Sequence, residues 1–318
     1  MALFLREADV EALLAVPEAM AAVLEAMRDL ALGRAANEPR RRVRAPGFTL
    51  HLMGATWAAR GYGGYKAYRT TASGTHFRVH LFRVPSGEAL ATIEADRLGQ
   101  VRTGAASGVA TRLLARDDAR TLAVIGAGWQ ARSQVAAVAA ARPLVEVRVF
   151  ARRAEGREAF AREVAPLLDG VRVLPADSAE AAVRGADVVV TATTAREPVL
   201  RGEWLEPGVH VNAIGANDLA RRELDEEAVR RAARIVVDSR DQAAVESGDL
   251  VHARERGLLA WDRVQELAPL CAGLLRGRTE RDEITLFRSH GIALWDIAAA
   301  AIVYEKARAA GFGVEALA

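Results

Sequence analysis

The chain has 318 residues, 51% of them hydrophobic, and 43 basic side chains against 41 acidic ones leave a formal charge of +2. That length holds one large domain or, more naturally, two, each with a substantial core. No apolar run is long enough for a membrane span, the densest basic cluster (Pro39–Arg44) has no stacking aromatics to suggest nucleic-acid binding, and the one cysteine, Cys271, permits neither an intrachain disulfide nor a cysteine metal cluster.

The first residues bring in Arg6 and Glu7 early, so they are not read as a signal peptide, and a cytoplasmic protein is expected. Residues 7–33 carry apolar side chains at three- and four-residue spacing and predict a helix. Residues 40–54 predict a pair of strands around Pro46–Gly47, followed by extended segments at GGYKAYRT and THFRVHLFRV. On the last of these, His76 and His80 are polar-face residues of a strand rather than a metal pair on a helix. Residues 94–115 predict a helix whose small residues Gly104 to Gly108 permit close packing.

From Thr121 the pattern changes. Apolar strands at 121–125, VEVRVFA, VRVLP, DVVVTAT, VHVNAIG and RIVVDS alternate with helices at 129–141, 154–168 and 178–184. Unbroken apolar strands alternating with helices predict a doubly wound parallel sheet. The expected fold class is therefore α/β, with this domain over 119–288 and a second, smaller α+β domain formed by 1–118 and 289–318, to which the final helix returns.

Between the first strand and helix of this block lies Gly126-x-Gly128-x-x-Ala131. Gly126 allows a sharp turn, Gly128 leaves room for a pyrophosphate, and Ala131 lets helix and strand pack closely. The following helix start offers N–H groups and a positive dipole end. Dinucleotide binding is expected here. The second strand ends in Ala151, Arg152 and Arg153, where an NAD-preferring site usually has a carboxylate. NADP(H) is therefore the preferred coenzyme, with Arg152 and Arg153 pairing the 2′-phosphate, and NAD(H) is the alternative.

Read together and in order, the stretches EPRRR, GYKAY, EADRLGQVRTGAASGVATRLLAR, VIGAGWQA, GADVVVTATT, VNAIGAN with RRELD, ESGDL and ITLFRSHGIALWDIA resemble the ornithine cyclodeaminase/μ-crystallin family over nearly the full length. The resemblance implies a Rossmann domain inserted into a substrate domain that dimerises, and NAD(P)-dependent chemistry on small amino or imino acids. It makes Lys66 the catalytic lysine and substrate contact, and Arg40 the substrate-carboxylate arginine, with Arg42 as fallback. It places Ser289 and His290 at the substrate, and Arg102 at the cofactor with Thr103 beside it. Trp129 and Gln130 are expected at the pyrophosphate, Thr191 and Thr193 at the strand end where ligands bind in such sheets, and Val211, Asn212, Ala213 and Ile214 around the nicotinamide. Thr75 is a weak further candidate.

One position departs from the family pattern. Cyclodeaminases carry a catalytic aspartate where this chain has Asn217, with Asp218 next to it. A neutral amide cannot accept a proton from the substrate's amine. Asn217 is instead expected to hydrogen-bond substrate or carboxamide. The sequence thus points first to an NADPH-dependent α-imino acid (ketimine) reductase or amino-acid dehydrogenase. Ornithine cyclodeaminase, and a protein that binds NADPH or a small ligand without turnover, are the alternatives. No metal, nucleic-acid or membrane partner is expected.

Overall fold

The computed structural model describes residues 2–316, and its contacts divide the chain into two units: Met1–Ala106 with Cys271–Leu274 and Gly291–Ala318, and Ser107–Leu270 with Leu275–His290.

The first unit opens with β1 (Ala2–Leu5), α1 (Glu7–Leu13), α2 (Val16–Ala31), β2 (Ala36–Asn37), β3 (Arg41–Ala45), β4 (Phe48–Trp57), β5 (Tyr62–Thr71), β6 (Gly74–Arg83) and β7 (Ala89–Glu94), and leads into α3 (Asp96–Leu114). The segment 7–33, read as one helix, is two. Pro17 sits in the first turn of α2, and Leu14 and Ala15 before it are extended, since a proline cannot join the hydrogen-bond ladder of a preceding helix. The strands β3 to β7 pair antiparallel in sequence order, with β2 also on β4 and β1 parallel to β7.

Period-two alternation sorts these strands into two faces. Register places Arg42, His51, Tyr68 and Phe77 side by side across β3, β4, β5 and β6, and Met53, Lys66 and Val79 side by side in the neighbouring row. The opposite face carries Val43, Phe48, Leu52 and Tyr65, all of them exposed.

In the second unit β8 (Thr121–Ile125), α4 (Trp129–Ala141), β9 (Glu146–Phe150), α5 (Ala154–Val164), β10 (Arg172–Pro175), α6 (Ala179–Val183), β11 (Val188–Thr191), β12 (His210–Ala213), α7 (Glu226–Arg231), β13 (Arg234–Val237), α8 (Arg240–Glu246), α9 (Gly248–Glu255), β14 (Val264–Glu266), α10 (Leu267–Cys271, its last residue in the first unit) and β15 (Thr285–Arg288) follow in order. The eight strands form one parallel sheet in the order β10-β9-β8-β11-β12-β15-β13-β14. Alternate residues feed two cores: Leu122, Val124, Val147, Val149, Val188 and Val190 on one face, and Ala123, Ile125, Val189, Val211, Ala213 and Ile235 on the other. This is why the strands read as continuous apolar runs. The order reverses between β8 and β11, the switch point where open sheets of this kind hold ligands.

Three sequence expectations need correction here. The six predicted strands are eight: β14 and β15 were unread because each is three or four residues long and ends in charged groups. The helix expected at 154–168 ends at Val164 and continues only as a 3-10 turn, Ala165–Leu167, where Pro166 has no N–H to give. The boundary between the units lies after Ala106, inside α3, rather than at Asp117–Asp118, and Ser289 and His290 group with the second unit. The C-terminal part of α3 is tied to its sheet: Asn212 Nδ2 donates to Thr111 Oγ1 at 3.0 Å.

The chain returns to the first unit as α11 (Ala293–Ala310) and β16 (Val314–Ala316), which adds to β1. Helix α11 is rich in alanine, and most of its residues are buried. It packs on β4, β5 and β6. Gly64 permits this approach: a Cβ there would lie 2.0 Å from His80 O and 3.1 Å from Ile297 Cδ1.

Candidate active site

In the first unit the close seating of α11 on β5 brings Asp296, in the helix's first turn, against Lys66. Lys66 Nζ donates to Asp296 Oδ1 at 2.9 Å, and Arg102 Nε of α3 donates to the same oxygen at 3.0 Å. Lys66, Arg102 and Asp296 are all buried. The carboxylate is favoured by the positive end of its own helix. Two glycines make the cluster sterically feasible. A Cβ on Gly99 would come 2.9 Å from Lys66 Nζ, and one on Gly291 would come 2.7 Å from Arg102 Nη1. Gly291 also has φ +79°, where side chains are rarely tolerated.

Arg40, also buried, stands on the same sheet face. Its Nε points to Met53 Sδ at 3.3 Å and its Nη2 donates to Gly291 O at 3.2 Å. Three cations and one carboxylate are thus gathered inside the unit. Burial pushes the Lys66 ammonium down to about 8; Asp296 opposes this, while Arg102 and Arg40 reinforce it. The second oxygen of the carboxylate, Asp296 Oδ2, is buried and has no hydrogen-bond partner among the described residues. Such a group is an acceptor awaiting a donor.

Arg42 is half-buried on the same face as Arg40. Thr103 spends its hydroxyl on Gly99 O at 2.6 Å. Thr75 is exposed, and its Oγ1 lies 3.2 Å from Thr70 Oγ1. His76 and His80 lie on strand β6, where His80 stacks on Tyr65 and bonds Thr92.

In the second unit the glycine turn follows β8. Gly126 has φ +109°, and a Cβ there would lie 2.4 Å from Ala192 O. Gly128 is the N-cap of α4, with no side-chain cap, and a Cβ there would meet nothing within 4 Å. Space thus lies directly over the start of a helix, as a bound pyrophosphate requires. Ala131 is buried against the β8–β9 core. Trp129 is half-exposed, and the Gln130 Oε1 atom is buried without a partner among the described residues. Arg152 and Arg153, just after β9, are exposed, and among the described residues their guanidinium groups make no hydrogen bond or ion pair. These residues fit a dinucleotide.

The other expected cofactor contacts are engaged elsewhere. Val211 and Ala213 point into the sheet core, and Asn212 points to Thr111. Of that set only Ile214, beyond the strand end, is partly exposed. Thr191 is fully buried within the sheet. Thr193 is held by Glu223, whose Oε1 accepts from Thr193 N and Oγ1, both at 2.8 Å, while its Oε2 accepts from Gly215 N at 2.6 Å. Alternation and tight pairing aim these side chains inward, so the strand ends can present only backbone.

Ser289 and His290 gather on Asp238 at the end of β13. Asp238 Oδ2 accepts from His290 N at 2.7 Å and Ser289 Oγ at 3.2 Å. Burial holds the His290 imidazole below its ordinary value. Below them Arg288, fully buried, pairs with Asp249 at 2.7 Å and donates to the carbonyls of Ala213, Ala216 and Ser289. Asn217 is half-buried in the loop after β12, and Asp218 turns back to accept from Ala220 N at 3.0 Å.

The profile of the ornithine cyclodeaminase/mu-crystallin family matches residues 1–311. The chain belongs to this family. It is 40% identical over 229 residues to Δ1-pyrroline-2-carboxylate reductase of Bacillus cereus, which covers 72% of this chain and 70% of the relative. Among solved structures, Δ1-pyrroline-2-carboxylate reductase of Thermococcus litoralis, in complex with NADH and L-proline, superposes with a TM-score of 0.94 at 33% identity. That match covers 99% of this chain and all of the other. An archaeal alanine dehydrogenase dimer with bound NAD has a TM-score of 0.93 at 33% identity, covering 99% of each chain.

Sequence reasoning missed Asp296, Asp238 and Glu223. Asp296 had a signal: it is the one charged residue in GIALWDIAAAAIV. Asp238 and Glu223 stand among many acidic residues, and only the fold reveals that they are buried.

Proposed function

We propose that the protein is a nicotinamide-dependent reductase of α-imino acids, working in reverse as an amino-acid dehydrogenase. The observation that carries this reading is the buried cluster of Lys66, Arg102, Arg40 and Asp296, with Lys66 brought near neutrality. A bound nicotinamide coenzyme supplies the hydride that reduces the C=N carbon to C–H. Arg40 takes the substrate carboxylate in two parallel bonds. Lys66 gives a proton to the imine nitrogen, and its pKa of about 8 suits it to be protonated before the step and to release the proton during it. Asp296 Oδ1 orients Lys66, and Oδ2 accepts from the N–H formed. Ser289 and His290, fixed by Asp238, and the neutral amide of Asn217 are the polar groups that the second unit offers to a ligand.

The glycine turn and the start of α4 hold the pyrophosphate. Arg152 and Arg153, which meet no carboxylate among the described residues, favour the 2′-phosphate of NADP(H). The exposed apolar face of β3–β5 buries itself in a homodimer, and the enzyme works in the cytoplasm.

Purified protein mixed with NADPH or NADH and Δ1-pyrroline-2-carboxylate should consume reduced coenzyme and form proline. Absence of turnover with this imine, its six-membered homologue, and pyruvate plus ammonia would overturn the reading.

A further inference from the structure

Beside the cation cluster, on the same sheet face, lies a row of rings. His51 of β4 and Tyr68 of β5 are cross-strand partners, as are Tyr68 and Phe77 of β6. The His51 and Tyr68 rings stack at 4.0 Å with 8° between planes, and the Tyr68 and Phe77 rings are 5.0 Å apart. All three are half-buried, unlike the fully buried Met53–Lys66–Val79 row next to them.

The row is uncharged although cations surround it. Burial, with the arginines at 42, 40 and 44, pushes the His51 imidazole down to about 4, so the ring is neutral near pH 7. At the other end Lys66 Nζ lies 5.0 Å from the centroid of Phe77. The electron-rich face of Phe77 thus already receives one cation, within the distance at which such a pair is attractive.

We infer that the row His51–Tyr68–Phe77 is the surface on which the substrate's α-substituent lies, and that it selects flat cyclic carboxylates over short open-chain ones. The inference rests on the reading of the Arg40–Lys66 cluster as the substrate site. An acid anchored by Arg40, with its nitrogen at Lys66, has its ring one sheet row away from the aromatic row. A planar ring packs against the row, and the iminium formed once Lys66 has given its proton gains attraction to Phe77 as well. A two- or three-carbon acid is too short to reach it.

Direct binding tests this without turnover, so it stands apart from the reductase assay. Pyrrole-2-carboxylate and propionate are titrated into the coenzyme-loaded protein, and the ratio of their Kd values is measured. The wild type should prefer pyrrole-2-carboxylate. Tyr68→Leu, and separately Phe77→Leu, should each lower the ratio about fivefold, with propionate binding kept. Retained propionate binding also reports an intact fold. An unchanged ratio in both variants, or equal weakening of both acids, overturns the assignment. A wild type with no preference overturns it too. If the ratio falls as expected while no imine is reduced, the wall stands and the reductase reading fails.

Discussion

Lys66 Nζ and Asp296 Oδ1 stand 2.9 Å apart inside the first unit, although 230 residues separate them in sequence. Arg102 shares the same carboxylate oxygen. Removing Lys66 as Lys66→Met should lower kcat/KM for the imine about a hundredfold or more, the range for losing a positioned proton donor. Asp296→Asn should do more structural harm, because it leaves two buried cations without their anion, at a cost of about 3–5 kcal/mol. Stopped-flow reduction and urea unfolding of the two variants separate these effects. Wild-type kinetics in Lys66→Met would remove the lysine from the mechanism.

The pH dependence of stability follows from the same group. In the folded chain Lys66 loses its proton near 8, against an ordinary value of 10.5. Between these values the unfolded chain binds more protons than the folded one, so this group makes stability rise with pH. Below 8 both states hold the proton, and the full penalty of the buried ammonium is felt. Cys271, pushed up to about 12 by burial, acts in the opposite direction above its ordinary value of 9.0. The wild-type curve minus that of Lys66→Met therefore isolates the lysine, and the difference should climb from pH 8 to 10.5. A flat difference would mean that the ammonium keeps its solution pKa.

The two glycines of the turn after β8 should fail differently. Gly126→Ala forces a side chain onto φ +109° and against Ala192 O, so both stability and coenzyme binding should fall. Gly128→Ala meets nothing within 4 Å among the described residues. It should cost only about 1 kcal/mol as a poorer cap, yet weaken coenzyme binding severely by filling the space over α4. Thermal unfolding together with coenzyme fluorescence titration distinguishes the two. Undiminished coenzyme affinity in Gly128→Ala would place the dinucleotide elsewhere.

The features legible in the sequence were those carried by local pattern. Gly126 and Gly128 stood between an apolar run and a helix, and alternation gave the two faces of β6. Lys66 was conspicuous because Lys306 is the only other lysine, and its place in GYKAY was carried by the family resemblance. What stayed hidden depends on long-range pairing. Nothing near Asp296 announces that α11 will press on Gly64, and nothing near Thr193 shows that Glu223 will claim its hydroxyl. Nor does TLFR reveal that its strand is slotted between β12 and β13: that place is set by long-range pairing.

On the face opposite Lys66, Val43, Phe48, Leu52 and Tyr65 are large, apolar and exposed. If they meet a second copy, a charge placed among them should separate the copies without touching the cation cluster, since period-two alternation keeps the faces apart. Leu52→Glu should shift light-scattering mass from dimer to monomer. A wild type that is monomeric at micromolar concentration would remove this interface.

If Arg152 and Arg153 read the 2′ position, coenzyme choice turns on them. Each lies at the end of β9 and is exposed, with no ion pair among the described residues. A guanidinium gains most from a doubly charged phosphate and little from a ribose hydroxyl. Arg152→Ala should therefore raise KM for NADPH about tenfold, as expected for losing a hydrogen bond to a charged group, while KM for NADH stays within about twofold. Arg153→Ala should show the same pattern more weakly, because its backbone caps α5 and fixes the residue at the helix start. Equal rises for both coenzymes would show that these arginines hold the dinucleotide without reading the 2′ position, and a wild-type preference for NADH would remove them from coenzyme selection.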